Sequence, residues 1–262
     1  MQNIKEIIVS KWQETLEALK TNLDSCGIND NYISSLTSYL YSAYKNKIPL
    51  ILAGLNSIQL AKAISYIFNG NSISVIDCNN EIDITSANEV VIIKNFINSD
   101  KNVEIADLLI KKDKFYLIVV PHYEDLRLLP SSFFNYALPI ILDFIVDKPF
   151  DDYIIYCVKA KNYIDYKVKQ KISFKDKQNI EELMINLNIS KLAQYNYLKL
   201  FSEAYSTNSS LTINTDLIIF LLSYANATNN KEIIENYYEE NKSNYLLSID
   251  YKKILDQYFY DF

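Results

Sequence analysis

Proline and glycine, the residues that most restrict where helices and strands can run, are confined to one stretch of this chain. All five prolines (Pro49, Pro121, Pro130, Pro139 and Pro149) and two of the three glycines (Gly54 and Gly70) fall between residues 49 and 149. After about residue 173 neither occurs, so long helices can run there without a breaker. The chain divides accordingly. Short apolar runs recur in the proline-bearing stretch, at 50–53, 72–77, 89–94, 115–120 and 139–146. Their length and their β-branched or aromatic content suit buried strands. Helical patterns fit between them, notably at 57–68 and 102–111. Strands alternating with helices predict an α/β fold, with a parallel-type sheet of about five strands and flanking helices. Residues 153–158 give one further strand candidate.

The remainder reads as helical at roughly 175–187, 190–206, 213–226, 230–240 and 244–259, an all-helical, lid-like C-terminal part. Residues 217–222 are apolar all round, which predicts a buried helix. In the tail, Leu246, Leu247, Ile249, Ile254, Leu255, Tyr258 and Phe259 predict a docked helix. At the other end, Ile4, Ile8, Trp12, Leu16, Leu19 and Leu23 recur at steps of three and four, which predicts one helix over 3–24 with Gly27 at its C-cap. A second helix over 31–45 carries Ile33, Leu36, Leu40 and Tyr44 on one face. The first helix covers a core or meets a partner chain, and Trp12 is its candidate contact. The division expected is therefore N-terminal helices (1–46), an α/β core (47–172) and a helical subdomain (173–262).

Composition removes several functions. With 49% hydrophobic and 22% charged residues, and a mean hydropathy of -0.06, the 262 residues suit a globular core. A net charge of -6 argues against nucleic-acid contact over the whole chain. Arg127 is the one arginine, so bidentate recognition of phosphates or bases is poorly served. Cys26, Cys78 and Cys157 lie far apart and His122 is the one histidine, so neither a metal site nor a disulfide framework is expected. No window is long and apolar enough for a membrane span or a signal peptide, and the expected location is cytoplasmic.

The stretch from Pro49 to Gly70, PLILAGLNSIQLAKAISYIFNG, runs from a buried strand through a short polar turn into a helix. Strand, turn and the LAKAIS helix opening resemble the Walker A region of AAA+ proteins, where backbone amides hold phosphates. Element order extends the resemblance over residues 30–262, although only about a dozen residues resemble the motif itself. The departures are chemical. The P-loop requires a second glycine, a lysine and a hydroxyl. Here Gly54 is followed by Leu55, Asn56, Ser57, Ile58 and Gln59, and Lys62 lies inside the helix. The strand that would carry the magnesium acids, EVVIIKNF, ends in Lys94 and Asn95. The resemblance therefore implies a pseudo-ATPase with no cofactor. Any nucleotide contact retained would fall on Gly54, Asn56, Ser57 and Gln59. It further implies a structural or regulatory partner in a hetero-complex, beside an active NTPase or nuclease in a bacterial restriction or phage-defence assembly. A nucleotide sensor without hydrolysis is the alternative within this frame.

The other polar constellation is Pro121-His122-Tyr123-Glu124-Asp125-Leu126-Arg127. It follows a buried strand, where open α/β sheets place their sites. As an enzyme loop it would offer His122 as a general base oriented by Glu124 or Asp125. No G-x-S-x-G or other nucleophile motif accompanies it. Contact with a partner is the functional role preferred for His122, Glu124, Asp125 and Arg127.

Overall fold

The computed structural model describes residues 3–82, 88–97, 99–148, 154–160, 172–208, 210–241 and 249–259. Its centre is a five-stranded, wholly parallel sheet. The strands are β2 (Leu50–Ala53), β3 (Ser74–Asp77), β4 (Val90–Lys94), β5 (Phe115–Val120) and β6 (Leu138–Ile141), in the order β3-β4-β5-β2-β6. In β2, Leu50 aligns with Leu117 of β5 on one side and with Leu138 of β6 on the other. Every residue of β2, β5 and β6 is buried, which is why these runs are apolar without alternation. Pro139 is tolerated because β6 is an edge strand. Helix α3 (Ser57–Phe68) lies across β4, β5 and β2, and α4 (Asn102–Lys111) buries Ile105, Leu108 and Leu109 in the core.

The N-terminus departs from the single helix expected over 3–24. Residues Asn3–Val9 form β1, and α1 (Trp12–Ser25) begins after it. Ile4, Ile7 and Ile8 satisfy a helical spacing, but long-range pairing decides the outcome. β1 runs parallel to β7 (Ile154–Ala160) over seven aligned pairs in a separate two-stranded sheet. The strand expected at 153–158 therefore lies outside the main sheet. Glu14 marks the break by accepting from the backbone N–H of Ser10 at 2.7 Å and, as its capping-box contact, from that of the N-cap Lys11 at 3.3 Å. On its inner side β7 is held by Asn22 of α1. That side chain accepts from Tyr156 N–H at 2.7 Å and donates to Tyr156 C=O at 2.9 Å, as a paired strand would.

The helical part comprises α5 (Phe174–Asn186), α6 (Lys191–Thr207), α7 (Ile213–Asp216), α8 (Leu222–Ala227), α9 (Lys231–Asn241) and α10 (Ile249–Tyr258). Leu246 and Leu247 lie outside the described residues. Helix α6 packs on α2 (Asp30–Asn46), and α8 covers the β6 edge, where Ser223 Oγ accepts from Ile141 N–H at 2.9 Å. The helix expected over 213–226 is interrupted by a π-helical turn, Leu217–Leu221, all five residues of which are buried. Immediately before it, the wholly buried Asp216 accepts from Tyr39 of α2 and from Tyr205 of α6, the latter at 3.0 Å. Thr215 touches the same Tyr39 hydroxyl at 3.1 Å.

Burial pushes the Asp216 carboxyl from 3.8 up to about 8, against the two phenol hydrogen bonds and with help from the Asp176 charge. The unfolded chain ionises this group near its ordinary value, so between the two values the folded state holds the extra proton. Stability from this group is full below the unfolded value and is lost as pH rises toward about 8. Urea unfolding should therefore show stability falling from about pH 5 to about pH 8, and Asp216→Asn should flatten that slope. An unchanged slope would assign the pH dependence to other groups. Asp216→Ala, which strands two buried phenols, should cost about 2–5 kcal/mol.

Candidate functional site

The strand order sets β2 between β5 and β6, so the segments leaving all three meet at the carboxyl edge of the sheet, where open α/β folds bind ligands. Gly54 leaves β2 with φ 96° and its N–H donates to Val120 C=O at 2.8 Å. Asn56 follows in the left-handed region, with φ 60°, and makes no side-chain cap for α3. Instead its amide donates to Cys26 C=O at 3.0 Å, which ties the loop to the α1–α2 junction. Ser57 is buried and its hydroxyl turns to Val120 C=O at 3.4 Å. Gln59 is half-buried on the first turn of α3. The two hydroxyl and amide side chains that could have faced a phosphate thus serve the protein's own backbone.

What faces the loop is a carboxylate. Asp143 Oδ2 accepts from Leu55 N–H at 3.0 Å. It lies so close to Gly54 that a Cβ built there would stand 1.7 Å from it. Burial pushes the Asp143 carboxyl up; the Leu55 N–H pulls it down, Glu124 pushes it up and His122 pulls it down. Glu124 and His122 therefore act on the same crevice, and the Tyr123 side chain borders Gly54. A cavity of about 280 Å³ opens beside it, lined among others by Tyr32, Asp143, Asp147, Asp250, Lys253 and Tyr258. Its carboxylates outnumber its one lysine, the wrong sign for a phosphate group.

At the neighbouring strand ends the carboxylate is already engaged. Lys94 pairs with Asp77 at 2.9 Å and Asn95 donates to Asp77 at 2.8 Å, and together they hold that carboxyl down at about 2. Among the described residues no group of three or more His, Cys, Asp or Glu could hold a metal ion.

The sequence-level candidates separate in space. His122 and Glu124 are exposed at the crevice, and Asp125 is half-buried in the 3-10 turn Tyr123–Leu128. Arg127 donates through Nε to Asn226 C=O at 3.3 Å, in the last turn of α8, where a cation also meets the negative end of the helix. Trp12 stands apart from the crevice, buried and stacked on Tyr41 with ring centroids 6.0 Å apart. Asp143 escaped the sequence reading. Its signal is the acidic residue that directly follows the apolar run LPIIL at the carboxyl end of a buried strand. No family model, no curated protein and no solved structure matches the chain.

Gly54→Ala should cost about 2–4 kcal/mol, from the positive φ and from the displaced carboxylate. Asp143→Ala alone should cost about 1–2 kcal/mol. The double variant should be more stable than the sum predicts by about 1 kcal/mol or more, because removing the carboxylate leaves room for the methyl. Strict additivity in urea unfolding would deny the Gly54–Asp143 contact any energetic weight.

Proposed function

We propose that this chain is a non-catalytic, AAA+-like subunit that serves as a structural or regulatory partner for another protein. The observation that carries the reading is the Asp143 carboxylate on Leu55 N–H. In a P-loop, amides at this turn and the helix N-terminus behind them face a phosphate. Here a carboxylate belonging to the chain takes that place, repels a second anion and fills the space above Gly54. The five parallel strands, the interior position of the strand that enters Gly54, between β5 and β6, and the helical part that follows are consistent with the resemblance. The missing lysine and the Lys94–Asp77 pair are consistent with the absence of turnover. The setting that the resemblance implies is a cytoplasmic hetero-complex with an active NTPase or nuclease, in bacterial restriction or phage defence.

A second reading rests on His122, which is exposed at the crevice and shares it with Glu124 and Asp143. In that reading His122 is the general base of a small-molecule enzyme. His122→Ala would then abolish an activity without moving the melting temperature.

The deciding measurement is a thermal-shift series with ATP, ADP and GTP, each with and without magnesium. The proposal expects no shift. A ligand at 100 times its Kd would add about 2.7 kcal/mol and move the transition by several degrees. A rise of that size, removed by Asn56→Ala or Ser57→Ala, would instead establish a nucleotide sensor.

A further inference from the structure

We infer that a cavity between the α/β core and the helical part binds a neutral sugar. None of its lining residues lines the cavity beside Asp143, and the inference does not rest on the AAA+-like reading.

The cavity holds about 440 Å³, within the size range of small-molecule sites. Three short segments wall it. The core supplies the 3-10 turn Ser131–Asn135, which precedes β6. The helical part supplies the α5–α6 link at 187–190 and the turn after α8 at 228–230. Each wall is fixed by contacts of its own. Phe133 and Phe134 anchor the first in the core, and Phe134 meets the Tyr224 ring edge-on with centroids 5.9 Å apart. In the second, Ile189 N–H returns to Met184 C=O at 3.0 Å past the left-handed Asn188, and Ser190 accepts from Ala193 N–H at 3.2 Å. In the third, the Thr228 hydroxyl donates to Tyr224 C=O at 2.8 Å and receives the Asn230 amide at 2.7 Å. The cavity is therefore formed before any ligand arrives, which lowers the cost of binding.

The lining chemistry selects the occupant. Seven of the nine lining residues carry a hydroxyl or a carboxamide, and no charged side chain is among the described lining residues. The other two are Leu187 and Tyr224. The deciding group is Tyr224. Only 5% of it is exposed, yet its hydroxyl has no hydrogen-bond partner among the described residues. A buried tyrosine hydroxyl ordinarily finds one. Asn135, half-buried in the same lining, also has its side-chain amide unpaired among the described residues. A site built this way selects a ligand that bears hydroxyls, because an analogue without them leaves buried polar groups unpaired. A sugar hydroxyl both donates and accepts, and a carboxamide sets a donor beside an acceptor, so it spans two neighbouring hydroxyls. Leu187 and the Tyr224 ring offer an apolar surface to the C–H face of a sugar ring. An ion would find no counter-charge in this lining, and an apolar ligand would strand its polar groups.

The test is saturation-transfer NMR on the full chain with glucose, galactose, mannose and N-acetylglucosamine, each alone. N-acetylglycinamide serves as a neutral amide that is not a sugar. At least one sugar should bind with a Kd of about 1 mM or tighter, and N-acetylglycinamide should receive no saturation. Tyr224→Phe and Asn135→Ala should each weaken that sugar about three- to tenfold. Tyr224→Phe removes a hydroxyl that has no protein partner and keeps the ring against Phe134, so the free variant should resist urea at least as well as the parent chain. A loss of stability would show that the hydroxyl serves the fold, and would overturn its assignment to the ligand. Saturation of none of the four sugars would overturn the proposal, as would binding that both variants retain in full. N-acetylglycinamide binding that Asn135→Ala abolishes would overturn it too, and would assign the cavity to a peptide segment.

Discussion

The turn that follows β6 is where the N-terminal helices, the sheet and the helical tail are joined, and the rest of the architecture depends on it. Ile145 C=O accepts from Asn29 N–H at 2.8 Å, Asp147 N–H donates to Gly27 C=O at 3.1 Å, and Ile28 bridges to Val146. Gly27 has a positive φ, and a Cβ there would stand 2.2 Å from Lys148 O, so only glycine lets the two backbones approach this closely. From the same turn Asp143 reaches the Gly54 loop, and its carbonyl accepts from Tyr258 of α10 at 2.9 Å. Three regions distant in sequence therefore converge on about six residues.

On the proposed reading, this junction also sets the Gly54 loop against the phosphate binding of the motif it resembles. A strand–turn–helix unit exposes amides at the helix start, and those amides attract negative charge whatever its source. An internal carboxylate satisfies one amide of this turn, Leu55 N–H, without the entropic cost of capturing a ligand from solution. The cost falls on Asp143 itself, whose ionisation burial opposes. With no lysine in the loop to offset a second negative charge, any phosphate would have to displace a group that is already in place.

The sequence made the sheet and most helices legible because their signals are local. Residues 50–53 and 115–120 can hardly be anything but buried strands, and the absence of Pro and Gly after 173 leaves helices as the economical choice. Two things were not legible. The pattern Ile4, Ile7, Ile8 fits a helix or a strand equally well, and only its pairing with β7, about 150 residues away in sequence, decides between them. The strand expected to run through 146 stops at Ile141, because Ile145 and Val146 both donate back to Leu142 C=O, at 2.9 and 2.8 Å. That early stop turns Asp143 toward Gly54. His122, Glu124 and Gly54 were visible as candidates in the sequence. Asp143, the group that gives the crevice its sign, was hidden because its role arises from a contact across the sheet.

The crevice geometry is in turn not a property of the sheet alone. Tyr258 of α10 holds the Asp143 carbonyl, Ser223 of α8 takes the Ile141 N–H, and Arg127 binds the last turn of α8. Each of these contacts joins a strand end to the helical part. Asn226, whose carbonyl receives Arg127, also donates through its side chain to Tyr258 C=O at 2.9 Å, so two of the three contacts share one residue. An isolated α/β core would keep the ladder hydrogen bonds of its strands, but would uncover β6, on which α8 and the π-helical turn pack. It would lose the groups that fix the turn after β6 and, with them, the placement of the carboxylate over Gly54. The helical part thus sets the electrostatics of the loop as well as covering an edge of the sheet.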